Sequence, residues 1–204
     1  LEVIGFKSIP SVHPDRAALD VVLELLFNSG ETGALDKLVL DHKLMLANGF
    51  DHSYNEDGAV LIIVVPKLVG QSFKKAEKLV YDEINKIRKG EVSDESLRIV
   101  KTGLYRQHQQ SLENYRRRTM NIVRTFSTNT SWDSYLTYSD KINLVTKEDV
   151  IRVAEKYFGA PHFTLRSRRG DPDKTVLDKP NFKPVIPKEG VVSEYAQAFK
   201  SNKI

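Results

Sequence analysis

Cysteine is absent from the 204 residues. That excludes disulfides, thiolate metal sites and a cysteine nucleophile, and it leaves the compartment open. Long apolar runs are absent too. The longest, residues 59–66, is strand-sized, well short of the roughly 18 residues that suggest a membrane span. A glycine-rich phosphate loop is missing, because Gly30-Glu31-Thr32-Gly33 is too short and has no lysine directly after it. No serine sits in a Gly-x-Ser-x-Gly elbow. An excess of one charge is missing as well. Lys and Arg number 31 against 27 Asp and Glu, and the net charge of +4 is too mild to argue by itself for nucleic acid. No signal peptide is visible. The chain opens at Leu1 on a strand-like run, so the expectation is a piece of a longer polypeptide.

What is present can build a core. Hydrophobic residues make up 40% of the chain, too many for wholesale disorder. Residues 1–9 read as a strand that Pro10 ends. Ser11-Val12-His13-Pro14-Asp15 reads as a helix entrance. Arg16, Asp20 and Glu24, four apart, then form one polar stripe on an otherwise apolar helix reaching Phe27. A second helix is expected over 33–46, with Leu35, Leu38, Val39 and Leu46 inward. A hairpin follows. Phe50, His52 and Tyr54 alternate on one strand, residues 55–58 turn, and 60–65 return.

The spacing of Phe73, Ala76, Val80, Ile84 and Ile87 predicts a helix over 72–89, stopped by Gly90. Ser93 caps the next helix. Its apolar seam of Leu97, Val100, Leu104, Leu112, Tyr115, Ile122 and Phe126 is interrupted near position 108. Thr146-x-x-Asp149 opens the last clear helix, with Val150, Val153, Ala154 and Phe158 inward, and 163–165 is a closing strand. Five of the eight prolines lie at or beyond position 161. The boundary is therefore placed at 1–170 for the domain and 171–204 for an extended linker. Hairpin-joined strands with clustered helices predict an α+β two-layer sandwich, with a mixed, mostly antiparallel sheet and helices on one face.

The titratable residues offer several sites, each with a plainer alternative. Asp41-His42 and Asp51-His52 look like metal or general-base pairs. Asp41 and His42, however, fall near a helix end, and strand neighbours such as Asp51 and His52 face opposite ways. His13, His42, His52, His108 and His162 lack the His-x-x-x-His or His-x-x-Glu-His spacing of helical metal sites. Satisfied or exposed histidines are the preferred reading. His13-Pro14-Asp15 is better explained by helix entry than by acid–base work. Arg116, Arg117, Arg118 and Arg124, with Arg106 a few turns back, fan around their helix. Phosphate binding, docking onto an acidic peptide or partner surface, and a solvated face stay open, the last preferred. Residue chemistry alone yields no catalytic, cofactor or metal residues.

Three stretches together resemble the M16 peptidase family, which includes pitrilysin, insulin-degrading enzyme and the mitochondrial processing peptidase. They are IGFKSIPSVHPDRAALDVVLELLFNSGETGAL, KLVYDEINKIRKGEVSDESLRIVKTGLYR and INLVTKEDVIRVAEKYF. The resemblance covers residues 3–166 and implies the second, non-zinc-binding domain of one half of such a peptidase. The family's zinc helix lies in a preceding domain, and this chain has none of it. Family relatives also carry an Arg and a Tyr seven positions apart on a domain of this type. Ungapped alignment puts Leu40 and Ala47 there.

The resemblance thus implies a substrate-enclosing domain whose parent binds zinc and takes peptide or unfolded polypeptide. Its partners would be other M16 domains of the same chain or a partner subunit. It also implies a missing first strand and helix, which would leave a sheet edge open to edge-strand pairing. An inactive M16-like scaffold is the alternative, and a nucleic-acid-binding module using Arg116–Arg118 a weaker one.

Overall fold

The computed structural model describes residues 1–168, 170, 181, 183 and 190–201. They form two compact units, Leu1–Arg168 and Arg169–Ile204. The first unit carries strand β1 (Glu2–Ser8), helices α1 (Arg16–Leu26) and α2 (Ala34–Leu40), and the hairpin β2 (Leu46–Ser53) and β3 (Gly58–Val65). Helices α3 (Phe73–Arg88), α4 (Asp94–Glu113), α5 (Tyr115–Ser127), α6 (Trp132–Leu136), α7 (Tyr138–Leu144) and α8 (Lys147–Phe158) follow, and strand β4 (His162–Arg166) closes the unit.

The expected α+β sandwich is the observed one, with one refinement. The sheet runs β2-β3-β1-β4, and every pairing is antiparallel rather than mixed. Register decides what each face does, because paired residues share a side and neighbours alternate. Ile4 pairs Ile62 and Phe6 pairs Val60, and all four are buried under the helices. Their chain neighbours Leu61, Ile63 and Val65 turn to the other face and are half-buried. Phe50, Phe163 and Leu165 stand exposed on that second face. The helices therefore form one layer. Its core is the apolar side of α1, with Leu19, Val22 and Leu26 fully buried, packed with α3 and α8.

Charged pins close the layer. Asp15, at the entrance to α1, accepts hydrogen bonds from Arg152 at 2.7 Å, Lys156 at 2.9 Å and Tyr157 at 2.8 Å, all on α8. Arg166 on β4 donates at 2.6 Å to the buried Glu2 of β1 and at 2.7 Å to Glu77 of α3.

Three elements depart from the sequence expectation. The second helix ends at Leu40, not 46, because His42 takes a positive φ of 55°. The amides of His42 and Lys43 then bond back to the Val39 and Leu38 carbonyls, a Schellman closure. Leu46 consequently lies on β2 and is exposed rather than inward. The long seam after Ser93 breaks not near 108 but at Asn114, whose side chain accepts the Arg117 amide at 3.0 Å and starts α5. Past that break Tyr115, Ile122 and Phe126 are exposed, Phe126 at 89%. A turn in the chain there points them away from the core that Leu104 fills.

The second unit is described only in part. Of the linker expected over 171–204, residues 171–180, 182, 184–189 and 202–204 lie outside the described residues. Within the stretch expected to be extended, Glu194–Ser201 forms helix α9. Ser193 Oγ accepts the Ala196 amide at 3.2 Å to start it.

Candidate functional site

The stripe read on α1 is the floor of the main concavity. Arg16, Asp20 and Glu24 lie one turn apart on a single face, while the other faces of α1 are buried. Arg16 donates to Asp20 on its own helix, to Asp51 Oδ2 at 2.7 Å and to Ser53 Oγ at 2.5 Å, both on β2. Ser8 donates to Asp51 Oδ1 at 2.5 Å and Ser53 to Asp51 Oδ2 at 2.6 Å. Tyr138 on α7 donates to Asp20 Oδ2 at 2.5 Å.

One guanidinium thus ties a helix to a sheet edge, and a phenol ties the same helix to α7. Burial lowers the pKa of Arg16, but the two carboxylates outweigh it and hold the group above its ordinary range. Burial, with Asp20 beside it, raises the Tyr138 pKa well above the usual phenol value.

The opposite wall comes from α4, α5, α6 and α7. His108 on α4 is 6% exposed. Its ring centroid lies 4.8 Å from Tyr135 and 5.6 Å from Tyr138, and its Nε2 has no hydrogen-bond partner. Burial lowers its pKa, opposed by the Leu136 carbonyl, so the ring is neutral at physiological pH. Tyr135 OH meets Ser111 Oγ at 2.8 Å and accepts from Asn121 at 2.6 Å, which pins α5 to α6.

Between floor and wall lies a cleft of about 1030 Å³. A second, of about 480 Å³, adjoins it and shares Glu24, Gln107 and Arg117. Together they form one groove along α1, from the Ser11 loop to the Asn28–Thr32 turn. Glu24 sits at the junction, half-buried. Burial, then Asp20 and Asp36, raise its pKa.

Each residue singled out in the sequence now has a place. Asp51 joins the Arg16 network, while His52 faces the other side of the sheet, its ring 5.0 Å from Phe50 and 6.3 Å from Tyr54. Asp41 and His42 close α2, and both are exposed. His13 Nδ1 accepts the Asp15 amide at 3.0 Å, which makes the His-Pro-Asp run a helix entrance. His162 packs against Phe6 and Tyr81.

Of the arginines, Arg117 and Arg124 line the main cleft and Arg106 the second. Arg116 and Arg118 are exposed outside both. Leu40 ends α2, exposed, and Ala47 is buried on β2, so neither position offers a polar group. The sequence named Arg16 and Asp20 as a stripe, and it named Asp51 in a pair. That Arg16 joins them, and that Ser8, Ser53 and Tyr138 complete the network, depends on contacts between residues up to 118 positions apart.

Among the described residues, no three His, Asp or Glu side chains converge as a metal would require. The described residues of the cleft do not fit a zinc ion. The Ser8 and Ser53 hydroxyls donate to a carboxylate already held by Arg16, so no base is free to activate them.

No family profile matches the sequence, and no curated protein sequence matches it. Solved structures do match in fold. A protease from Helicobacter pylori superposes with a TM-score of 0.70 over 77% of this chain and 38% of its own, at 20% identity. The inactive peptidase domain of a candidate zinc protease from Bordetella parapertussis gives 0.66 over 81% of this chain and 92% of its own, at 15% identity. A candidate M16-like peptidase from Alicyclobacillus acidocaldarius gives 0.62 over 77% and 37%, at 15% identity. At these identities the likeness is one of fold, and the fold is that of M16-like peptidase domains. The chain spans under two-fifths of the Helicobacter and Alicyclobacillus proteins and nearly all of the Bordetella domain.

Proposed function

We propose that this chain is a non-catalytic domain of an M16-type zinc metallopeptidase, a structural element that helps enclose peptide or unfolded polypeptide substrate. The observation that carries the reading is the match over nearly the whole of a domain described as inactive in a zinc protease. The zinc, and the carboxylate that activates water beside it, belong to another segment of the longer protein.

The test is direct. The purified chain should leave a quenched fluorescent peptide intact with and without added zinc, and calorimetry should give no stoichiometric zinc binding. The full gene product should cleave the same peptide, and a chelator should stop it. Hydrolysis by the isolated chain, or one tightly bound zinc per chain, overturns the proposal.

A second reading is an M16-like scaffold subunit without catalysis anywhere in the protein, favoured by the same inactive relative. It predicts a full-length product that keeps the fold and cleaves nothing.

A further inference from the structure

The groove along α1 carries unused recognition chemistry. Arg106, Arg117 and Arg124 project into it, and none pairs with a carboxylate among the described residues. Lys141, on the same wall, reaches only Ser134 Oγ, at 3.0 Å. Across from them Asp20 and Asp51 are both consumed by Arg16. Glu24 alone has no side-chain partner. The unspent charge in the groove is therefore mainly positive.

A second observation is independent of charge. His108 lines the cleft and is more than nine-tenths buried, and its Nε2 is unpartnered. In a neutral ring one nitrogen carries the proton and the other a lone pair, and among the described residues whatever Nε2 offers is unmet. A buried polar atom left unmet costs about 1–3 kcal/mol, so the site favours an occupant that brings it a hydrogen-bond partner.

We propose that this groove binds an acidic polypeptide segment, whose carboxylates meet Arg117 and Arg124 and whose backbone offers His108 a hydrogen-bond partner. The charge pattern selects polypeptide over nucleic acid. A phosphodiester backbone would bring uniform negative charge along Asp20, Glu24 and Asp51. A peptide alternates donors with acceptors and can place its acids only opposite the arginines. The inference is independent of the peptidase reading, since an inert scaffold can carry the same groove.

Fluorescence anisotropy on the full chain tests it, with a labelled Glu-rich peptide, a Lys-rich peptide of equal length and a single-stranded oligonucleotide of equal charge. The Glu-rich peptide should bind best. Arg117→Ala and Arg124→Ala should each weaken it by about tenfold, the scale of a charge-assisted hydrogen bond. Arg116→Ala, outside the groove, should change it by less than about twofold, as an exposed charge does. Glu24→Gln should tighten it.

His108→Gln, which keeps a donor and an acceptor, should bind better than His108→Leu. Because His108 is buried, the two are compared only after their thermal melts, and the exposed arginines carry the test if either fails to fold. The proposal is overturned if the Glu-rich peptide does not bind, if the Lys-rich peptide or the oligonucleotide binds as tightly, or if Arg116→Ala costs as much as Arg117→Ala.

Discussion

Arg16 on α1 and Asp51 on β2 are 35 positions apart in the chain and meet at 2.7 Å, with side chains only 15% and 10% exposed. Among the described residues, the pair is the one charged link between α1 and the edge hairpin. It also sets the end of the groove, since the same guanidinium holds Asp20.

Removing the cation should therefore cost more than removing an ordinary surface charge. Arg16→Ala leaves two carboxylates, both mostly buried, facing each other without a counter-charge. Breaking a buried pair costs about 3–5 kcal/mol. Residual exposure and the Ser8, Ser53 and Tyr138 donors reduce that to about 2–4 kcal/mol here. Urea denaturation of Arg16→Ala, Asp51→Ala and the double variant should show a double-mutant loss well below the sum of the singles. Simple additivity would mean that the two groups do not interact.

Asp15 gives a pH signature. Burial raises its pKa, but the hydrogen bonds from Lys156, Arg152 and Tyr157 outweigh burial and hold it well below the ordinary carboxylate range. A carboxyl depressed in the folded state stabilises fully above its unfolded pKa and loses that contribution as pH falls. The fold should weaken as pH drops below about 4, the unfolded value for Asp. Asp15→Asn should be less stable at neutral pH, and its deficit should shrink steadily in acid. Chemical denaturation at a series of pH values checks both. A deficit that stays constant with pH would assign the effect to packing instead.

The fold was legible where its causes are local. Ser93, Thr146 and the stepped apolar residues of α3 mark their helices because caps and periodicity act within a few residues. The break at Asn114 was not placed, because polar residues near 108 imitate an end while His108 is in fact buried. The site was legible only in pieces. Arg16, Asp20 and Glu24 show their shared face through spacing, but the partners of Arg16 and Asp20 come from β2 and α7. His108 looked like one histidine among five, since nothing beside it in the chain announces that Tyr135 and Tyr138 will enclose it.

The sheet register makes a sharper test than the helices do. Ile62 is fully buried on the helix side and its neighbour Ile63 is half-buried on the other. Ile62→Ala should cost about 3–5 kcal/mol, from lost transfer energy plus the cavity left behind. Ile63→Ala should cost about 1–2 kcal/mol, because part of that side chain already meets water. A register shifted by one residue reverses the order, so the ranking of the two midpoints in a denaturant titration decides it.

His42 offers a test of the Asp41-His42 pair. It sits in the left-handed region at φ 55°, just past the end of α2. A side chain there costs about 1 kcal/mol relative to glycine. The imidazole is exposed and makes no hydrogen bond through its side chain among the described residues, so replacing it removes no contact. Glycine adds freedom to the unfolded chain, which takes back part of the gain. The balance predicts that His42→Gly raises stability by about 0.5 kcal/mol, seen as a small upward shift in the melting temperature. A metal-binding or catalytic histidine would show the opposite pattern, with loss of ligand or activity and no gain in stability. A drop in melting temperature on this substitution would mean that His42 holds a contact the fold depends on, and that the pair is more than a helix ending.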